Sequence, residues 1–346
     1  MKYDVVTVGS ATRDVFLESP FFKVVKDPQH LKNMGFPTGE AQCFAMGAKL
    51  NVEDVHVLTG GGATNAAVTF ARQGLKTGCL MTLGEDIGAQ QVIDELKNEK
   101  VTPIPTYSKK LKTSYSAILL SRGGERTILN YRGASGLMKA KDIPFSKIQT
   151  RGVYVSPGVI EFSTIKEIIK RFKAQGALIA MNPSSHYLAM GKKLHPLLKE
   201  IDVIILNREE AAELTGVSYE NEKNIFTRFD ELVPGLAVMT EGPKGVMVSD
   251  GQRIFRAGIY KEKRTEDRTG AGDAFGSGFV SALLQHRVTP KNVQNVKEEV
   301  IKEAIELASA NATSVVEQMG AKPGILYKKD LIQFLKKKPR LKITKK

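Results

Sequence analysis

Near the C-terminal end of this 346-residue chain, the stretch Asp267-Arg268-Thr269-Gly270-Ala271-Gly272-Asp273-Ala274-Phe275 combines the residue types best suited to chemistry. The three small residues 270–272 permit a tight turn, and the apolar run 276–284 reads as the body of a helix. A helix that starts there aims its first N–H groups, which lack intrahelical partners, at one point, and the helix dipole adds partial positive charge. That point attracts anions, phosphate oxygens above all. Asp273 beside it would repel a phosphate unless it takes the proton from a hydroxyl attacking phosphorus. The alternative is an acid in a first helical turn, which complements the dipole without doing chemistry.

Two further groups sit where a small ligand could be held. Residues 4–9 form a β-rich run ending in small residues, and Asp14 is expected on the loop after that strand. In open parallel α/β sheets ligands gather at the carboxyl ends of strands, so Asp14 either grips a substrate hydroxyl or is a turn residue. Gly60-Gly61-Gly62-Ala63-Thr64-Asn65 then opens a helix that stops at Gly74. Gly61 and Gly62 allow close approach to the backbone, and Asn65 offers both a donor and an acceptor. A dinucleotide site is disfavoured, because these glycines do not follow the first strand and lack the expected acidic residue downstream.

The elements that must position these groups alternate between two patterns. Residues 15–58 break into extended segments and loops, as do the runs 113–121 and 126–131 around the turn Arg122-Gly123-Gly124-Glu125. Two such excursions can pair into a small sheet that covers a site. Elsewhere strands at 78–83, 101–107, 152–156, 177–181 and 202–206 alternate with helices at 89–98, 164–173 and 187–198, which predicts a parallel sheet with helices on both faces. A helix over 209–214, strands at 236–239 and 246–249, a long helix over 292–318 and a last helix over 329–335 complete the chain.

Asp-x-Thr-Gly-Ala-Gly-Asp-x-Phe, late in a chain of this length, resembles the second signature of the ribokinase-like (PfkB) carbohydrate kinase family. The glycines with Asn65 and the closing Ala71-Arg72-Gln73-Gly74 resemble its first, and Leu83-Gly84-Glu85-Asp86-Ile87-Gly88 fits as well. The resemblance runs from Val5 to about Leu335 and implies a doubly wound α/β fold over residues 1–335, with a β-sheet lid from about 15–58 and 108–132. It implies ATP-dependent phosphorylation of a sugar hydroxyl, with Asp273 as base and the amides of Gly270, Ala271 and Gly272 as anion hole. Asp14, Gly61, Gly62 and Asn65 would hold the acceptor. Thr240, Gly242 and Gly245, in a turn that includes Lys244, would touch nucleotide phosphates, and Asn311 would face the adenine. Asn207 and Glu210 would hold hydrated Mg²⁺, although an N-cap with acids in the first turn explains them too. Asp267 with the Gly320-Ala321 turn resembles a loop for a monovalent cation, K⁺ in preference to Na⁺. The lid is also expected as a surface for a homodimer.

The acceptor is least defined. Asn182-Pro183-Ser184 and Ser156-Pro157-Gly158 lack acids that many relatives carry, which weakens a reading as ribokinase proper. A nucleoside would need an aromatic slot, for which Phe21, Phe22, Phe36, Phe44, Tyr115 and Tyr131 are candidates. A catalytically silent sugar or nucleotide sensor on the same fold is the reading from another class.

Composition bounds these readings. With 42% hydrophobic and 25% charged residues the chain can bury a full core. Half of the formal net charge of +14 lies in residues 336–346, which hold seven Lys and Arg and no acid. No aromatic is interleaved there, so a flexible solvated tail is expected and nucleic acid is not an expected partner. Two isolated cysteines, Cys43 and Cys79, fit a reduced cytoplasmic setting, and no signal peptide or membrane span is expected.

Overall fold

The computed structural model describes residues 1–36, 38–121 and 126–345; the expected turn Arg122-Gly123-Gly124-Glu125 lies outside them. The chain opens with strand β1 (Lys2–Gly9) and at once leaves the main sheet through β2 (Thr12–Glu18), β3 (Lys23–Lys26), helix α1 (Pro28–Asn33), β4 (Glu40–Cys43) and β5 (Asp54–Gly60). Alternation then begins with α2 (Gly62–Arg72), β6 (Thr77–Gly84), α3 (Ile87–Asn98) and β7 (Thr102–Ser108). A second excursion, β8 (Ser114–Leu120) and β9 (Arg126–Tyr131), precedes β10 (Gln149–Ser156), α4 (Phe162–Lys173), β11 (Leu178–Met181), α5 (Ser185–Leu188) and α6 (His195–Leu198). The rest runs β12 (Val203–Asn207), α7 (Arg208–Thr215), α8 (Glu222–Leu232), β13 (Leu236–Thr240), β14 (Val246–Ser249), β15 (Ile254–Ala257), α9 (Ala271–Gln285), α10 (Glu298–Val316), α11 (Lys328–Lys337) and β16 (Ile343–Lys345).

The main sheet has the order β16-β15-β14-β13-β12-β11-β10-β1-β6-β7. Its seven strands from β7 to β13 are parallel, whereas β14, β15 and β16 pair antiparallel at one edge, so the sheet is mixed and not wholly parallel. Period-2 alternation sends Val153 and Val155 of β10 into one core and Tyr154 into the other. The first core is covered by α4 to α8, the second by α2, α9, α10 and α11. Helix α9 is buried over nearly its whole length because α2 and α10 flank it, which is why it reads as an uninterrupted apolar run.

The two excursions do pair, in the order β5-β2-β8-β9, and β3 with β4 forms a separate hairpin. Three expectations change. Asp14 lies within strand β2, not on a loop, because pairing with β5 and β8 continues the extended backbone through it. The helix expected over 187–198 is two short helices, interrupted by Gly191 in the left-handed region (φ 54°) and restarted at Pro196. The basic tail is docked: β16 pairs with β15, and Leu341 and Ile343 pack against the core under α10 and α11.

Candidate active site

The turn at 268–273 is built from below. Gly270 has φ 78°, and a Cβ there would lie 2.4 Å from the Cβ of Ala321, so conformation and space both require glycine. Helix α9 starts at Ala271, whose N–H reaches the Arg268 carbonyl only at 3.4 Å. Beneath it, the turn 320–325 is anchored by α2: Arg72 donates to the carbonyls of Lys322 (3.1 Å) and Ile325 (2.6 Å), and Gln73 donates to that of Leu326. A paired Glu99 holds the Arg72 guanidinium in place.

Asp273, half-buried in the first turn of α9, accepts a hydrogen bond from Asn65 Nδ2 at 2.9 Å. Burial pushes its carboxyl above the usual range, while the Asn65 bond and the charge of Lys322 oppose the rise. Asn65 is 4% exposed, and its Oδ1 is buried with no hydrogen-bond partner among the described residues, so it can accept from a hydroxyl. Gly61 (φ 97°) and Gly62 bring the start of α2 against Ser10 and Ser156; a Cβ at Gly62 would lie 2.0 Å from Ser156 Oγ and 3.4 Å from Asp273 Oδ1. Asp14 accepts from Thr12 Oγ1 at 2.9 Å, and burial raises its carboxyl against hydrogen bonds from Ser116 and Thr12. Gly60 makes room for it, since a Cβ there would lie 2.0 Å from Asp14 Oδ2.

These groups line a cavity of about 230 Å³ roofed by the lid. Asp14, Gly61, Gly62, Asn65, Gly270 and Asp273 are all on its wall. The lid adds Ser114, Ser116, Asn130 and Arg132, which sequence reasoning missed, although the alternation of Ser114 and Ser116 marks one polar strand face. Among the described residues no aromatic side chain lines it. Behind it Lys322, 3% exposed, pairs with Glu95 at 3.0 Å and donates to Thr59, so β5, α3 and the 320–325 turn share one buried cation.

A second cavity, about 260 Å³, opens on the other side of the same turn. Thr240, Gly242, Gly245, Ala271 and Gly272 line it together with Arg268 and the apolar Ile259, Phe275, Ala312 and Val316. Gly245 has φ 102°, and a Cβ there would lie 2.0 Å from the Ala257 carbonyl oxygen. Lys244 does not reach this cavity and instead pairs with Glu241 at 2.8 Å. Asn311, expected at the adenine side, is fully buried: Nδ2 donates to the Ala274 carbonyl and Oδ1 accepts from Leu326 N. The cavity face of α10 is Ser309, Ala312, Thr313 and Val316, because Asn311 points the other way round the helix.

Asn207 and Glu210 close on each other as a capping box: Asn207 Oδ1 accepts from Glu210 N at 2.8 Å, and Glu210 Oε2 accepts from Asn207 N at 2.9 Å. Parallel register sets Asn207 beside Thr240 at the strand ends, yet neither Asn207 nor Glu210 lines either cavity. Asp267 is 6% exposed, and its partners are the Thr269 N–H (2.9 Å), the Thr269 hydroxyl (2.7 Å), the Gly320 N–H (3.1 Å) and the guanidinium of Arg126. The expected monovalent-cation position is therefore faced by donors.

A mixed sheet between two helical layers, with a separate four-stranded lid over one of two adjoining cavities, is a ribokinase-like fold. The solved ribokinase of Arabidopsis thaliana, complexed with ribose and ATP, is similar at a TM-score of 0.76 and 21% identity over 97% of this chain and 99% of that one. The chain belongs to the pfkB family of carbohydrate kinases, whose pattern it matches over residues 4–326. It is 27% identical to a ribokinase of Haemophilus influenzae over 84% of this chain and 91% of the relative. To a cytidine kinase of Thermococcus kodakarensis it is 26% identical over 66% of this chain and 82% of the relative.

Proposed function

We propose that this protein transfers the γ-phosphoryl group of ATP to a hydroxyl of a sugar. The observation that carries the reading is the meeting of two cavities at one turn. Thr269, Gly270 and Asp273 face the polar one, while Arg268, Ala271 and Gly272 face the partly apolar one. A nucleotide in the second cavity would direct its terminal phosphate at the start of α9, where the amides of Gly270, Ala271 and Gly272 stabilise developing charge. An acceptor in the first would present its hydroxyl to Asp273, oriented by Asn65, with Asp14 gripping a second hydroxyl. Thr240, Gly242 and Gly245 would take the remaining phosphates.

The polar walls favour a sugar over a nucleoside, since Phe21, Phe22, Phe36, Phe44, Tyr115 and Tyr131 all lie off the acceptor cavity. ATP consumption by the purified protein against ribose, fructose, 2-keto-3-deoxygluconate, adenosine, inosine and cytidine tests this. Turnover of a free sugar is expected; efficient turnover of a nucleoside alone would overturn the sugar reading, and silence throughout would favour the sensor.

Mg²⁺ would arrive with the nucleotide and neutralise phosphate charge. Glu210 suits it by chemistry: a carboxylate offers about four lone-pair sites, and the capping bond engages one, leaving oxygen for a bridging water. Glu210→Gln should raise the Mg²⁺ needed for half-maximal rate; an unchanged titration would leave Glu210 as a cap alone. A homodimer through the lid is also proposed. Val55, Val57, Leu129 and Tyr131 lie on the lid face opposite Asp14 and Asn130 and are 44–57% exposed. Sedimentation should show a dimer that Leu129→Glu dissociates, and a monomeric parent protein would reject it.

A further inference from the structure

Asp267 opens the turn on which both cavities depend, and its carboxylate is held almost entirely away from water. A buried carboxylate requires a counter-charge. A bound cation would need oxygen acceptors around it, but among the described residues the groups bonded to this carboxylate are two N–H groups, a hydroxyl and the Arg126 guanidinium. The residues present do not fit a metal ion at Asp267 while Arg126 is in place. Arg126 belongs to neither core; it comes from the first residue of β9, 141 positions away in the chain. On that strand Arg126, Ile128 and Asn130 share one face by the strand's period of two, and Ile128 and Asn130 line the acceptor cavity.

We propose that Arg126 is a positioning residue that serves as a lid-borne counter-cation for Asp267, taking the place of a monovalent ion and coupling lid closure to the shape of the phosphate-binding turn. With the lid down, Arg126 neutralises Asp267, whose other bonds fix Thr269 on one side and, on the other, Gly320, the neighbour of the Ala321 that packs against Gly270. An acceptor that draws Asn130 inward draws Arg126 with it. Lifting the lid leaves Asp267 as an uncompensated negative charge next to the phosphate site, which disfavours ATP there until the acceptor is enclosed. The inference rests on the phosphotransfer reading for its consequence, but the ion pair can be tested without turnover.

The experiment compares the full-length protein with Arg126→Gln, Asp267→Asn and the double variant, in Na⁺ and in K⁺ at equal ionic strength. Nucleotide affinity is measured by calorimetry, with the thermal midpoint and, where an acceptor has been found, the rate. The parent protein should show the same rate and midpoint in both salts. Arg126→Gln should weaken ATP binding on the order of 10-fold in Na⁺, and K⁺ or millimolar guanidinium ion should restore much of it. Asp267→Asn should suppress most of the Arg126→Gln defect, in affinity and in thermal midpoint alike. Selective K⁺ activation of the parent protein would overturn the proposal. So would a defect in Arg126→Gln that neither ion rescues and Asp267→Asn does not suppress, an outcome that would assign Arg126 to the phosphoryl group itself. A chain that phosphorylates no acceptor would defeat the functional reading and still leave the thermal cycle to decide the ion pair.

Discussion

The two cavities on either side of the 268–273 turn are built by different means. The polar cavity, proposed for the acceptor, is made of side chains from distant segments: Asp14 on β2, Asn65 on α2, Ser116 on β8, Asn130 on β9 and Asp273 on α9. The partly apolar cavity, proposed for the nucleotide, is made of backbone turns and helix faces, with glycines at 242 and 245 in left-handed conformations and an apolar patch from α9 and α10. Specificity among acceptors can therefore change by exchanging side chains, whereas the nucleotide site depends on backbone shape that tolerates little change. Among the described residues the two linings meet at the turn itself, and the buried Lys322 behind the polar cavity bears on both Asp14 and Asp273.

Breaking the common element should have the largest effect. Asp273→Asn keeps the hydrogen bond geometry and the proposed anion hole but removes the proposed base, so turnover should fall on the order of 10²–10⁴-fold with ATP affinity retained. Near-normal turnover would remove Asp273 from its role. The same carboxylate carries a stability cost. Its folded pKa is raised, so between the unfolded and folded values the folded state binds more protons, and stability on this account falls as pH rises through that window. Asp273→Asn should therefore unfold at a higher temperature than the parent protein at neutral pH, with the gain shrinking in acid.

Lys322→Met keeps the buried stem and deletes the charge that opposes protonation of both Asp14 and Asp273. The acid limb of the pH–rate profile, where activity is lost as the base is protonated, should move to higher pH. A limb that stays put while stability falls would leave Lys322 as the tie between Thr59 and Glu95 only.

The contrast between the cavities sharpens with single substitutions on each side. Ser116→Ala, which removes a polar group of the same cavity without touching β9, should raise KM for the acceptor on the order of 10-fold and leave KM for ATP alone. Gly245→Ala should do the reverse, because a Cβ would meet the Ala257 carbonyl and shift the turn. Effects of both substitutions on both constants would mean that the sites are not separable.

Removal of residues 339–346 should have the smallest effect. It strips β16 and the half-buried Leu341 and Ile343 from the sheet edge, about 1–2 kcal/mol of apolar burial and a few degrees in Tm, with turnover unchanged. No change in Tm would mean that the edge strand does not form in solution.

What the chain states by itself is local. Gly-Ala-Gly before an apolar run makes a turn and a helix start whatever surrounds it, because φ preferences and unpaired N–H groups act within a few residues; the same holds for the glycines at 60–62 and the turn at 240–245. The lid strands were legible from their extended pattern for the same reason. Tertiary structure decided the rest. Asn311 faces Leu326 and the α9 backbone because α10 is rotated by its packing, which a helical sequence leaves open until its neighbours are placed. The tail reads as solvated by its charge, yet an unpaired edge of β15 offers it backbone hydrogen bonds that composition does not register. Arg126 meets Asp267 only after two excursions fold into a lid, since propensity and spacing act over a few residues and this pair joins positions 141 apart.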